Sequence, residues 1–207
     1  MTIDQFCHLH PRLYHMATSD SLEQINTHGL LSTNAIVELL SLPEGEKSRL
    51  RSERRPDMTV LVHPKFGKFS LRDQKPMRDA ALEKCLDGMT VREWYASLNS
   101  RVFMWASKER VESLLAARAY RKSDQLLFTI DSRSLIEKYY ESVTVSTINS
   151  GATLYVPVRR GLQTFVKLSD FPSARGTKPI VEVTVAIGIP DFKKIIISAE
   201  IRNAQKP

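Results

Sequence analysis

The chain has 207 residues, 42% of them hydrophobic and 26% charged, and carries a formal charge of +7 at pH 7. That length buries one sizeable core, so one domain over residues 1–207 is expected, and the composition excludes a disordered polymer or a disulfide-built scaffold. The N-terminus lacks the basic-then-apolar pattern of a secretory signal, no apolar run nears the ~20 residues of a membrane span, and Cys7 and Cys85 are too far apart for a metal motif, which together predict a cytoplasmic protein with reduced thiols.

Leu13 to Ala17 reads as a first strand. Ser19 or Asp20 is placed to cap a helix over Leu22 to Thr27, and Gly29 to end it. A second helix is expected from Thr33 to Leu42. Residues 43–57 are charged, and Arg49 to Arg55 reads as a solvated helix face. Thr59 to Val62 and Lys68 to Leu71 form a strand pair around Pro64 and Gly67. Helices follow at Arg78 to Leu86 and at Val91 to Leu98, the latter capped by Thr90. Arg101 to Trp105 is a strand. Lys108 to Tyr120 has the clearest helical stripe, through Val111, Leu114 and Leu115.

The second half turns toward β structure. Leu126 to Ile130 and Ser142 to Ile148 are predicted strands, with a helix over Leu135 to Tyr140 between them. Residues 149–179 are rich in turn formers and basic side chains, and Asn149-Ser150-Gly151 reads as a turn. Strands over Ile180 to Ile187 and Lys194 to Ile201 close the chain. Helices gather in the first half and strands in the second, without regular β-α alternation, which predicts an α+β fold.

Among the histidines, His8 and His10 lack further metal ligands nearby, His28 sits where an imidazolium suits a helix C-terminus, and His63 precedes Pro64 at a strand end. His15 lies inside the first strand, between Tyr14 and Met16, and is either a core histidine or a ligand contact. Glu182 interrupts an otherwise apolar strand. Alternation sets Ile180, Glu182 and Thr184 on one face and Val181, Val183 and Val185 on the other. Such a carboxylate reaches solvent, pairs with Arg159 or Arg160, or faces a cleft from a rigid element.

Leu13-Tyr14-His15-Met16-Ala17, the following Leu22 to Ile25, and His28-Gly29-Leu30-Leu31-Ser32 resemble the opening of the ADP-ribosyltransferase superfamily, and most of all the DarT-like DNA-modifying toxins. Glu182-Val183-Thr184-Val185, with Ile189-Pro190 and Ile195, is similar to the glutamate strand of those toxins. Arg101-Val102-Phe103-Met104-Trp105-Ala106-Ser107 resembles their central strand. The resemblance implies a split antiparallel β core flanked by helices, and NAD as substrate with no metal. It implies Glu182 as the catalytic acid and His15 as the contact to the nicotinamide-side ribose. Tyr14 and Met16 would flank that contact, Phe103 or Trp105 would pack nicotinamide, and Arg72 would correspond to the arginine near the NAD phosphates.

The same resemblance places the acceptor at the loop between Gly161 and Pro179, and Arg175 and Lys178 within it, with Arg159 and Arg160 just before it, favour a phosphate-bearing partner. Nucleic acid is therefore the expected acceptor. For a toxin-like enzyme, an antitoxin or a hydrolase that reverses the mark is the expected partner. Two alternatives stay open: a basic, non-enzymatic nucleic-acid-binding or interaction module, and an RNA 2′-phosphotransferase-like enzyme on the same scaffold. Overall the chain also resembles a bacterial family of unknown function, with Arg72-Asp73-Gln74-Lys75-Pro76-Met77 and Glu93-Trp94-Tyr95 as landmarks.

Overall fold

The computed structural model of the protein describes residues 1–154, 157–172 and 177–205. The chain opens with α1 (Ile3–Leu9), started by a capping box between Thr2 and Gln5, and β1 (Arg12–Thr18). Next come α2 (Leu22–His28), β2 (Leu30–Leu31), α3 (Thr33–Leu39) and α4 (Glu44–Ser52). The hairpin strands β3 (Thr59–His63) and β4 (Gly67–Leu71) precede α5 (Asp79–Glu83), β5 (Leu86–Asp87), α6 (Val91–Asn99) and β6 (Arg101–Trp105). The second half runs α7 (Lys108–Leu115), β7 (Gln125–Asp131), α8 (Ser132–Tyr139) and β8 (Val143–Ser146). Short strands β9 (Arg160–Gly161) and β10 (Val166–Lys167) lead to β11 (Glu182–Ala186), β12 (Gly188–Ile189) and β13 (Ile196–Arg202). The architecture is mixed α+β. Among the described residues no helix is long and apolar enough to cross a membrane.

Local chemistry explains where several elements stop. The predicted helix to Leu42 ends at Leu39, because Ser41 takes a positive φ of 50° and Leu42 precedes Pro43, where helical geometry is disfavoured. The helix expected to reach Tyr120 stops at Leu115, and a turn carries the buried Tyr120 back under the sheet. Neither Ser19 nor Asp20 caps α2: residues 19–21 form a 3₁₀ turn, and the Asp20 carboxylate instead accepts from Thr18 and pairs with Lys68. Arg55 leaves the predicted solvated face. It is buried, donating to the carbonyls of Leu50 and Arg72 and to Asn99 Oδ1. Thr90 caps α6 as expected, in a capping box with Glu93.

Among the described residues seven antiparallel strands form one sheet, in the order β10-β8-β11-β6-β1-β7-β13. One face packs Leu13, Phe128, Ile130, Val183 and Val185 against α1, α2 and α8 through Phe6, Ile25, Leu135 and Ile136. On the other face α7 covers Met16 and Leu127 with Val111 and Leu115. Two satellite cores flank the sheet, one joining α3 and α4 to the β3–β4 hairpin, the other built around Trp94 and Tyr95 of α6.

The sheet is nearly divided at its centre. β1 runs opposite β7 from Arg12 to Thr18, yet it meets β6 only where Tyr14 faces Trp105. Two half-sheets, β10-β8-β11-β6 and β1-β7-β13, diverge from that point. Gly29 fixes one wall of the opening. It ends α2 with φ 80°, and a Cβ there would lie 2.3 Å from the Ile189 carbonyl oxygen on β12. Gly29→Ala is expected to destabilise the fold by roughly 2 kcal/mol, through both the clash and the strained φ. A lower midpoint in urea unfolding, with unchanged slope, is the confirming result.

Candidate functional site

Register across the sheet assembles the first part of the site. Tyr14, Trp105, Glu182 and Ser146 lie directly opposite one another on four neighbouring strands, so their side chains share one face in a single row. Phe103 lies opposite Thr184 on the same face. Where β1 and β6 part, a cavity of about 350 Å³ opens, lined by His15, Met16, Arg72, Phe103, Trp105, Glu182 and the segment 149–152, among others. Its size suits a bound small molecule. Apolar side chains from α2, β2 and β4, including Ile25, Leu31 and Phe69, line the same cavity.

Glu182 opens β11 and is only 4% exposed. Burial pushes its carboxyl up to about 7, with the Ser150 hydrogen bond and the charges of Arg160 and Arg110 pulling the other way. The Ser150 backbone N–H donates to both carboxylate oxygens, at 3.1 and 3.2 Å. Among the described residues this carboxylate therefore neither faces solvent nor forms a direct ion pair. It is held by a backbone donor at the cavity wall and titrates near neutrality, as a group with catalytic work often does.

His15 stands at the opening between the half-sheets. Its Nδ1 lies 2.7 Å from the Phe103 carbonyl oxygen. A carbonyl only accepts, so Nδ1 carries the proton and Nε2 is left as an acceptor in the neutral ring. Burial pushes the imidazole down to about 4, the nearby Arg72 charge adds to the effect, and the Phe103 hydrogen bond opposes it. Near pH 7 the ring is neutral, and its Nε2 suits a ligand hydroxyl.

Arg72 follows the β4 strand. One guanidinium nitrogen donates to the Met16 carbonyl at 3.1 Å and to Gln125 Oε1 at 3.0 Å, while the group stacks on Tyr120 with 4.7 Å between its central carbon and the ring. Among the described residues its other terminal nitrogen, Nη1, is buried without a hydrogen-bond partner. Gln24 Oε1 is in the same condition, and both residues line the cavity. Buried polar atoms rarely go unpaired. A cationic donor and an amide acceptor left open on one set of walls match a polar ligand with hydroxyl and anionic groups.

Of the other expected residues, Met16 and Phe103 line the cavity, and Tyr14, Arg159, Arg160 and Lys178 do not. Met16 is buried and contributes its carbonyl to Arg72, whereas Tyr14 packs beside Trp105 outside the cavity wall. Phe103 meets Phe165 edge-on, and Phe165 in turn stacks on Trp94. Arg159 is exposed and pairs with Asp87 at 3.3 Å. Lys178 is exposed, and Arg175 lies outside the described residues. Arg160 is not at the surface: at 3% exposure it donates to the carbonyls of Val158 and Ser150, both at 2.9 Å.

Residues missed by the sequence reading include Ser150, Gln24 and Arg160 in its buried role. Asn149-Ser150-Gly151 carried only a turn signal, and nothing in its composition connects it to a strand 32 residues further on. His28 lies in the last turn of α2, and its ring packs against Phe66 and Phe69. His63 Nδ1 accepts from the N–H groups of Lys65 and Phe66, a structural role. Among the described residues no three His, Cys, Asp or Glu side chains gather as metal ligands.

No curated protein matches the chain. The model of a family of unknown function, DUF7002, matches residues 11–196, a span that runs from just before β1 to the start of β13 and includes every cavity residue named above. The chain belongs to the DUF7002 family.

Proposed function

We propose that the protein is an NAD-dependent mono-ADP-ribosyltransferase on an ADP-ribosyltransferase-like split sheet, with nucleic acid as the preferred acceptor. The observation that carries this reading is the convergence of Glu182, His15, Trp105 and Arg72 on one cavity where the half-sheets part. Each supplies a different requirement of the reaction. The neutral His15 Nε2 accepts from a hydroxyl of the nicotinamide-side ribose. Trp105, directly opposite Glu182, offers a π surface to the nicotinamide ring. The open Nη1 of Arg72 meets a phosphate oxygen.

In the reaction the bond between ribose C1′ and the nicotinamide nitrogen breaks. Nicotinamide leaves neutral with the bonding pair, and positive charge spreads over C1′ and the ring oxygen. Ionised Glu182 stabilises that oxocarbenium-like centre. The acceptor nucleophile then bonds to C1′ and releases a proton. Exposed basic residues, among them Lys178, and the +7 balance favour a phosphate-bearing acceptor. An antitoxin or a mark-reversing hydrolase is the partner this activity calls for.

The phosphotransferase alternative needs several arginines free for substrate phosphates. Arg55 and Arg101 line the cavity, but their guanidinium groups donate to protein carbonyls and side chains. That arrangement favours the transferase. The binding-module alternative needs the basic surface alone and gives no use to a buried carboxylate on a cavity wall.

Incubation with NAD labelled in its adenylate portion, beside separate pools of DNA, RNA and protein, tests the proposal. Label is expected in the nucleic-acid pool with equimolar nicotinamide release. Nucleic-acid binding with neither label transfer nor nicotinamide release would overturn the reading in favour of the binding module.

A further inference from the structure

Arg160 is a buried guanidinium that the proposed reaction does not use directly. It sits on β9, which pairs in parallel with β5 so that Arg160 stands opposite Leu86 and Gly161 opposite Asp87. The Arg160 N–H donates to the Cys85 carbonyl at 2.9 Å. Gly161 presses so closely on β5 that a Cβ there would lie 2.0 Å from the Asp87 carbonyl oxygen, which fixes the strand in place. The guanidinium lies 5.9 Å from the Trp94 ring centre, and its Nε donates to the Val158 carbonyl.

From this anchored position Nη1 donates to the Ser150 carbonyl at 2.9 Å, and the Ser150 N–H donates to both oxygens of Glu182. The carbonyl and the N–H of one residue are thus held from opposite sides. Ser150 is completely buried, and a second tether holds the segment, since the Thr153 N–H donates to the Pro76 carbonyl. We infer that Arg160 is a positioning residue: by holding the Ser150 carbonyl it aims the Ser150 N–H at Glu182 and fixes that carboxylate on the cavity wall. This rests on the reading of Glu182 as the reacting acid, while the relay itself is testable without NAD.

The charged groups acting on the Glu182 carboxyl are Arg160 from β9 and Arg110 from α7, and its cross-strand neighbours Trp105 and Ser146 are uncharged. Arg160→Met removes both the tether and one of these charges, while Arg160→Lys keeps a charge but cannot reach two carbonyls with a planar fork. The readout is carboxyl titration by NMR on protein carrying ¹³C-labelled glutamate, with Glu182→Gln to assign the signal, and amide exchange at Ser150.

In Arg160→Met the Glu182 midpoint is expected to rise by about one pH unit, a tenfold weaker ionisation. In both variants the Ser150 amide should exchange at least about tenfold faster. On NAD, Arg160→Lys should lower kcat about tenfold with KM within about twofold. If Arg160→Met does not fold, exchange and turnover in Arg160→Lys decide. Unchanged Ser150 exchange and an unchanged kcat in Arg160→Lys would overturn the inference. A wild-type protein that leaves NAD intact while the variants speed Ser150 exchange would instead overturn the transferase reading and leave the relay standing.

Discussion

Glu182→Gln is expected to lower nicotinamide release by at least about 10²-fold, the scale on which a single preorganised electrostatic group acts in a dry site. Glutamine keeps the size of the side chain and still accepts from the Ser150 N–H, so the wall of the cavity is preserved. What is lost is the negative charge, needed only when the ribose becomes cationic. NAD affinity, measured by calorimetry, should therefore stay within about threefold of the parent value while turnover collapses.

The pH profile gives a sharper version of the same expectation. Glu182 works ionised and its carboxyl is pushed up to about 7, so wild-type turnover should rise with pH through an acid limb near 7. His15, pushed down to about 4, stays neutral across that range and adds no limb. The residual activity of the glutamine variant should be flat from pH 6 to 8. A variant with the wild-type rate and the wild-type limb would remove Glu182 from the chemistry.

Stability should move in the opposite direction. Glu182 has a folded-state value near 7 against an ordinary 4.5, so the folded protein holds this proton more tightly than the unfolded chain. The ionised carboxylate then costs the fold nothing below about pH 4.5, and the cost grows until it is complete above about pH 7. At about 1.4 kcal/mol per pH unit this reaches about 3 kcal/mol. Glu182→Gln is expected to be more stable than the parent by about that amount at pH 8, and close to it at pH 4.5. Urea unfolding at the two pH values measures both differences. Equal gains at both would mean that packing, not ionisation, separates the two side chains.

A site whose removal stabilises the protein is the signature of structure bent toward function. The parent should show a second, opposing trend. His15 is depressed relative to 6.5, so its contribution is lost as pH falls from about 6.5 toward 4. Comparing Glu182→Gln with the parent at each pH cancels this background, because both carry His15.

Much of the chain was legible from local chemistry. Arg101 to Trp105 forms its strand as read, Thr90 caps its helix, and Gly29 ends α2 with the positive φ that glycine permits. Period-two alternation placed Phe103 and Trp105 on one face, and Glu182 with Thr184 on one face of its own strand. These features depend on residues within a few positions of each other, where backbone preference and side-chain direction act directly.

Longer-range relations escaped. Arg160 reads either as a surface cation for a nucleic-acid partner or as an ion-pair partner of Glu182; the pairing of β9 with β5 carries it inside, where its link to Glu182 runs through Ser150. Ser150 reads as part of a turn, and only the fold brings its N–H to a carboxylate on β11. The divergence of β1 from β6, which opens the cavity, shows only in the strand register, where the two strands meet at Tyr14 and Trp105 alone. By itself the sequence determined the α+β class, most strand and helix positions, and a carboxylate set among valines. The tertiary structure decided that this carboxylate is buried, held by Ser150 and gathered with His15, Trp105 and Arg72 around one cavity. Strand alternation and capping are local forces, whereas burial and the meeting of distant side chains exist only after the chain has closed on itself.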